Sequence, residues 1–371
     1  MKKILILMGR YLPGHKDGGP LRTIVNLTEA LGDEYQFYIA CLDRDNGDTE
    51  AYPDIQRNKW NKVGKAKVWY VAPKGFTEKV LLGLAKGKDF IYLCSFFEDY
   101  GYKILLLKKR KKIHCPVAIA SMGVFSKEAL DQKALKKRVF ITGCKTLGLL
   151  KDITWSVTSE IEASDVKRII GRNIKYIVAE DLPRSNVPGR KENDADKVRI
   201  CFLSRICEHK GLDIAIDALN MLEDTSNIRF TIYGPVQEKE YWLKCQQKLQ
   251  HSNLDWSYGG DVSSDKVQEY LMKQDIMLFP SKSENYGHVV FEALSVGCIP
   301  IVSNRTPWTN LDEIGAGYIV ARDVDSFGLV IRKYIDLDQK EKKKMSNSAI
   351  ELAKYKVEQS KLETGYRKIF G

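Results

Sequence analysis

Four charged residues stand where their types and spacing could do chemistry. Arg205 and Lys210 are five positions apart in Ser204-Arg-Ile-Cys-Glu-His-Lys210-Gly211, a loop between an apolar run and an amphipathic one. A rigid guanidinium fork and a compact ammonium on one strand-to-helix loop can converge on a single anion. Glu284 and Glu292 stand eight positions apart in Pro280-Ser-Lys-Ser-Glu284-Asn-Tyr-Gly-His-Val-Val-Phe-Glu292. A helix opening near Gly287 puts Glu292 on the same face as His288, four residues earlier. There Glu292 interrupts the apolar run Val289-Val290-Phe291 and Ala293-Leu294. A carboxylate in such a place is costly to desolvate unless hydrogen-bond donors meet it, and sugar hydroxyls are such donors. Two solvated cations would explain Arg205 and Lys210 alone, and a helix-stabilising Glu would explain Glu284 or Glu292. Neither explains all four together. A second candidate is the glycine-rich loop Gly9-Arg-Tyr-Leu-Pro-Gly14-His-Lys-Asp-Gly18-Gly19-Pro20. It lacks Gly-x-Gly-x-x-Gly, and His15-Lys16 replaces the Lys-Ser/Thr of a P-loop. Exposed N–H groups before a helix starting near Leu21 could hold an anion. A plain connecting loop explains them as well.

These loops need elements to position them. With 371 residues the chain is long enough for two domains. Strand-length apolar runs alternate with amphipathic stretches, the pattern of parallel βαβ units. Strands are expected near Lys3–Met8, Gln36–Leu42, Val68–Val71, Phe90–Ser95, Val117–Ser121, Ile153–Val157 and Tyr176–Val178. After an interruption they resume near Val198–Leu203, Arg229–Tyr233, Leu254–Tyr258, Ile276–Phe279, Ile299–Val302 and Tyr318–Val320. Helices are expected between them, among them Leu21–Leu31, Lys127–Thr146, Leu212–Leu222 and Ser264–Lys273. The stretch 184–197, with proline, glycine and little to bury, reads as a linker. The expected organisation is therefore an N-terminal domain over 1–183, the linker, a C-terminal domain over 198–352, and a helical tail over 353–371 returning to the first domain. Ligands of doubly wound sheets sit beyond the carboxyl ends of the strands, which is where Arg205, Lys210 and Glu284 fall.

Composition narrows the classes. The chain is 44% apolar and 29% charged, as ordinary globular proteins are. No apolar run approaches the roughly 20 residues of a membrane span. The start, Met-Lys-Lys-Ile-Leu-Ile-Leu-Met, is too short in its apolar part for a secretory signal. A cytoplasmic protein is expected, with its eight scattered cysteines reduced and buried. Neither cysteine nor histidine spacing suggests a metal, and no Asp-x-Asp motif stands in a suitable loop.

Glu284-x7-Glu292, Arg205-x4-Lys210-Gly211 and Gly18-Gly19 before the first helix together resemble the retaining family-4 glycosyltransferases. Thr306-Pro307-Trp308 and Glu128-Ala-Leu-Asp-Gln-Lys-Ala-Leu-Lys-Lys137 are similar to a Thr-Pro-Trp subgroup of bacterial surface-polysaccharide enzymes. The resemblance covers most of the chain and is most specific over 198–320. It implies an α/β GT-B fold, two Rossmann-like doubly wound domains facing a central cleft. It also implies transfer of a hexose-type sugar from a nucleotide sugar to a saccharide acceptor, lipid-linked, with retention, in capsule, exopolysaccharide or O-antigen synthesis. By the same resemblance Arg205 and Lys210 grip the diphosphate, aided by N–H groups at Gly287 and His288, with Asn285, Tyr286 and Val289 alongside. Glu284 holds donor-sugar hydroxyls and Glu292 the ribose. Gly260, Asp261 and Val262 lie where the family binds the base, and Gly19 approaches the phosphate. No cofactor or metal is implied. The chain departs from the family at two acceptor-side positions, where Ser121-Met122 and Ser156 replace a frequent His or Arg, so no catalytic base is assigned. The competing readings are a GT-B-fold sugar-nucleotide epimerase and, from another class, a basic nucleic-acid-binding protein. The full charged set argues against the first. Basic runs without interleaved aromatics argue against the second, and no nucleic-acid partner is expected.

The net charge of +11 is unevenly placed. Residues 1–190 carry 34 Lys and Arg against 21 Asp and Glu, and the remainder 25 against 27. The excess is concentrated at Lys108–Lys112 and Lys136–Arg138. Such clusters suit a peripheral position at the inner face of the membrane, on anionic lipid. Solvated helix faces would account for them equally.

Overall fold

A computed structural model describes residues 1–131, 134–190 and 197–371. The chain forms two compact units, Met1–Leu182 with Lys361–Gly371, and Pro183–Ser360.

The first unit is built on strands β1 Lys3–Leu7, β2 Gln36–Leu42, β3 Trp60–Val63, β4 Ala66–Val71, β5 Phe90–Cys94, β6 Val117–Ala120, β7 Ile153–Val157 and β8 Lys175–Val178. Its helices are α1 Gly19–Leu31, α2 Glu78–Ala85, α3 Asp99–Lys109, α4 Lys127–Asp131, α5 Ala134–Thr146 and α6 Glu160–Ile170. The strand order is β3-β4-β2-β1-β5-β6-β7-β8, with every pair parallel except β3–β4. Central strands such as β1 and β5 are apolar and buried almost throughout, because helices cover both faces of a parallel sheet. The antiparallel edge strand β3 escapes an apolar-run reading. It is four residues long, largely unburied, and joined to β4 through Gly64 at φ 54°.

In the second unit the strands are β9 Val198–Leu203, β10 Ile228–Tyr233, β11 Asp255–Tyr258, β12 Ile276–Phe279, β13 Ile299–Ser303 and β14 Tyr318–Val320. The helices are α7 Leu212–Asn220, α8 Lys239–Gln250, α9 Val267–Leu271, α10 His288–Ser295, α11 Leu311–Ile314, α12 Val324–Ile335 and α13 Gln339–Leu362. The order β11-β10-β9-β12-β13-β14 is parallel throughout. The direction in which the chain adds strands reverses between β1 and β5 in one sheet and between β9 and β12 in the other. Such a reversal opens a crevice at the strand ends.

Two connecting segments differ from their sequence reading. Residues 184–190 are a tether only in name. Gly189 N donates to the Ser295 carbonyl at 3.1 Å, Arg190 reaches the Gly297 carbonyl at 3.0 Å, and its other arm pairs with Asp275. Residues 191–196 of the expected linker lie outside the described residues, as do Gln132 and Lys133 of the Glu128–Lys137 motif. At the far end, α13 stays with the second unit, burying Ala349, Leu352, Ala353 and Val357 there. The return to the first unit comes at Lys361 rather than 353. It is made by α14, Gly365–Phe370. The Phe370 ring sits 5.3–6.0 Å from those of Tyr35, Phe37, Phe90 and Tyr92. A Cβ on Gly365 would fall 2.0 Å from the Val178 carbonyl oxygen, so only glycine lets α14 approach β8.

Candidate functional site

The loops leaving β9 and β12, neighbours at the reversal of the second sheet, carry three of the four charged candidates. The β9 loop turns through a short 3-10 segment, Glu208–Lys210, and hands over to α7 at Gly211. Gly211 adopts φ 74°, and a Cβ there would lie 2.5 Å from the Pro280 carbonyl oxygen. Its glycine is required twice, for the left-handed backbone and for contact with the β12 loop. The two loops are stitched elsewhere too. Lys282 N donates to the His209 carbonyl at 2.9 Å, the His209 ring meets the Ser283 carbonyl at 3.0 Å, and Arg322 Nε donates to the Pro280 carbonyl at 2.8 Å.

Inside this frame Lys210 and Glu284 meet. Lys210 is buried, its ammonium paired with Glu284 Oε1 and 5.2 Å from the centre of the Phe279 ring. Ser281 Oγ, itself fully buried, donates to the same carboxylate oxygen at 2.6 Å. Ser303 Oγ fixes the Ser281 carbonyl at 2.6 Å. A buried ion pair recovers its desolvation cost only with such supporting hydrogen bonds. Arg205, by contrast, is exposed, with one guanidinium arm on Gln237 Oε1 at 2.8 Å.

Glu292 lies in the second turn of α10 and is buried. Its Oε1 is 4.0 Å from Arg184 Nη1. Gly287 caps the helix at φ 78°, so the first N–H groups of α10 point outward with the positive end of the helix behind them. Asn285 is exposed, Tyr286 buried, and His288 and Val289 half-buried along the helix entry. The Trp308 indole sets this entry by donating to the Tyr286 carbonyl at 2.6 Å. Gly260, Asp261 and Val262 follow β11, where the Gly260 carbonyl accepts from Gly234 N at 2.8 Å. Asp261 is exposed and Val262 packs against the core. The structure thus gathers Arg205, Lys210, Glu284 and the α10 N-terminus on two adjacent loops, with Glu292 one helical turn behind.

Gly19 belongs to the first unit. It opens α1 after Gly18 (φ 63°), and a Cβ on either would meet nothing within 4 Å. Beside it Arg10 pairs with Asp17 at 3.3 Å. The two serines that replace the family's His or Arg are turned inward. Ser121 is fully buried, and Ser156 Oγ accepts from the buried Tyr92 hydroxyl at 2.9 Å. Both side chains are closed off from solvent.

Three contributors escaped the sequence reading. Ser281 carries no local signal. Arg184 falls in the stretch read as a linker. Trp308 stands out in the sequence only as part of a motif, and its indole N–H gives that motif a positioning role. Among the described residues no three His, Cys, Asp or Glu side chains converge closely enough to hold a metal ion, and no helix is long and apolar enough to cross a membrane.

Comparison with known proteins bears on this geometry. Residues 184–352 match the glycosyl transferases group 1 family. The chain is 24% identical over 232 residues to a 41.2 kDa protein from the cps region of Klebsiella pneumoniae, a match covering 58% of this chain and 60% of that one. The chain thus spans about three fifths of that relative's length. Among solved structures, HepE of Anabaena, in complex with UDP and glucose, superposes with a TM-score of 0.72 at 16% identity, covering 96% of each chain. WaaG, a glycosyltransferase involved in lipopolysaccharide biosynthesis, superposes with a TM-score of 0.66 at 13% identity, covering 99% of this chain and 98% of that one. The fold is that of the GT-B glycosyltransferases, two Rossmann-like domains with parallel sheets.

Proposed function

From a group 1 glycosyl transferase domain over residues 184–352 on a GT-B fold, we propose that the protein is a retaining hexosyltransferase. It would move a sugar from a nucleotide-diphosphate donor to a saccharide acceptor carried on lipid, at the cytoplasmic side, in the assembly of a surface polysaccharide. The observation that carries this reading is the Lys210–Glu284 contact across the loops after β9 and β12, with Arg205 on the same loop as Lys210. The cps-region relative and the UDP complex of HepE support the substrate class.

The mechanism follows from where charge develops. As the glycosidic bond to the diphosphate lengthens, negative charge grows on the leaving oxygen and positive charge on the sugar ring. Lys210 and the N–H groups opening α10 are held in advance for the leaving oxygen, so they stabilise the transition state with little reorganisation, while the exposed Arg205 turns to it from Gln237. Glu284, shared between Lys210 and Ser281, accepts from sugar hydroxyls while remaining next to Lys210, the cation that meets the diphosphate. Glu292 accepts from the ribose hydroxyls, with Arg184 balancing its charge. Backbone groups of Gly260, Asp261 and Val262 face the base. The retaining course that the family resemblance implies has the acceptor hydroxyl attack from the leaving-group side and pass its proton toward the departing phosphate oxygen.

Calorimetric titration against UDP-, GDP-, ADP- and dTDP-sugars, followed by turnover with a lipid-linked saccharide, tests this. Lys210→Ala and Glu284→Ala are each expected to lower kcat roughly 10²–10³-fold while the protein stays folded. Wild-type turnover in either variant overturns the assigned roles. Conversion of the sugar nucleotide without acceptor overturns the transfer reading in favour of an epimerase.

A further inference from the structure

We infer, resting on the ribose reading of Glu292, that Arg184 is a positioning residue for nucleotide selection. Held by Gln268, it orients the Glu292 carboxylate and so sets the preference of the donor site for a ribose that bears its hydroxyls. Glu292 is 5% exposed, and its Oε1 is sealed from solvent. The Arg184 guanidinium faces this oxygen at 4.0 Å. That is too long for a direct hydrogen bond and short enough for strong Coulombic attraction. A ribose hydroxyl can therefore reach this carboxylate only at Oε2, on the side that Arg184 leaves outward.

A guanidinium on a long stem positions nothing unless it is itself held. Arg184 Nη1 donates to Gln268 Oε1 at 3.2 Å, and Nη2 to the Ser264 carbonyl at 3.0 Å. Gln268, on α9, is buried. Its Nε2 donates to the Asn186 carbonyl at 2.9 Å and to Ser295 Oγ at 2.8 Å. Only one orientation of this amide fits, because Arg184 can only donate and the Asn186 carbonyl can only accept. Ser295 Oγ in turn donates to the Glu292 carbonyl at 2.7 Å, one turn back along α10. Gln268 is thus a junction between the chain entering the second unit, α9 and α10. A buried network satisfied at each of these corners fixes a single arrangement.

The network reaches the ribose end of the donor and not the diphosphate end. Lys210 and Glu284 are held by Ser281 and by the loops after β9 and β12, with no member in common with Gln268. Hydrogen bonds from ribose hydroxyls to a carboxylate are charge-assisted and depend on its direction. Loss of Arg184 should therefore remove the part of the affinity that comes from those hydroxyls and leave the part that comes from the phosphates.

Calorimetric titration of the full chain with UDP, GDP and ADP, and with their 2′,3′-dideoxy counterparts, tests this without any acceptor. For the nucleotide that wild type binds, loss of both hydroxyls should weaken binding about tenfold or more, as hydrogen bonds to a charged group are worth. Arg184→Met keeps the unbranched stem and removes the fork. It should lose most of that preference, leaving about threefold or less, and Gln268→Leu should do the same through Arg184. Arg184→Lys keeps the charge but cannot span both acceptors, so it should fall between, and it decides by the same ratio if Arg184→Met does not fold. A role in folding alone would weaken both nucleotides equally and leave the ratio at its wild-type value. The assignment of Arg184 is overturned, and the ribose reading of Glu292 kept, if wild type discriminates and the folded variants discriminate equally. Both fall together if wild type binds none of the three nucleotides, or binds the dideoxy forms as well as the ribose forms.

Discussion

At the reversal of the second sheet, Lys210, Ser281 and Glu284 form one hydrogen-bonded group drawn from two loops, with Lys210 and Ser281 buried. At the corresponding place in the first sheet the loop after β1 offers Gly18 and Gly19 with open space around them. The hydroxyls near the ends of β6 and β7 are closed into the core. The first unit places its buried polar groups elsewhere. Thr23 Oγ1 donates to Asp181 at 2.9 Å and Asn26 Nδ2 to the Leu182 carbonyl at 2.8 Å, fixing α1 to the point where the chain leaves the unit. Two sheets of the same kind thus carry different burdens. One holds charge in a costly position, which a ligand can exploit; the other stabilises its own framework and turns cations and apolar side chains outward.

The largest expected effect would break this comparison on the structural side. Ending the chain after Ser360 removes α14 and opens the pocket lined by Tyr35, Phe37, Phe90 and Tyr92. Amide exchange read by mass spectrometry should then accelerate through β1, β2 and β5 while β9 and β12 keep their protection. Phe370→Ala is a milder form, costing about 3–5 kcal/mol of the first unit's stability. Equal acceleration in both units would show that they do not unfold separately.

A smaller effect sharpens the second unit's role. Gly211→Ala must enter a left-handed backbone and displace the Pro280 carbonyl. It should weaken nucleotide-sugar affinity about tenfold or more by calorimetry, since left-handed geometry alone costs about 1–2 kcal/mol, while exchange in β1 and β2 stays unchanged. Smallest is Trp308→Phe, which keeps the ring but removes the donor to the Tyr286 carbonyl. A loss of roughly 0.5–1 kcal/mol, the net worth of one hydrogen bond, read as a slightly raised KM for the donor with intact unit-one exchange, is the expected result.

How much of this could be read beforehand depended on which forces decided it. The parallel strands were legible because burial on both faces writes a continuous apolar run, as in Ile200–Leu203. The β3 edge strand, half exposed, writes no such run. Arg205, Lys210 and Glu284 were legible because they stand in short loops directly after apolar strand runs, and Glu292 because it interrupts an apolar helix. Ser281 was not, since its importance comes from one hydrogen bond across a turn. Arg184 and Arg190 looked like linker residues, because nothing local shows that their guanidinium groups reach α9, α10 and the start of β12. The outward placement of Leu135 and Val139 on α5 was hidden for a related reason. Leu135 and Val139 are ordinary helix residues until packing has decided which face goes inward.

The return of α14 also bears on how the protein is made. The socket that Phe370 fills is assembled from β2 and β5, synthesised early, but its occupant is encoded beyond the whole of the second unit. At about 5–20 residues per second, translation leaves that aromatic socket unfilled for roughly 10–40 seconds while residues 183–360 emerge and fold. The first unit to leave the ribosome is therefore the last to close.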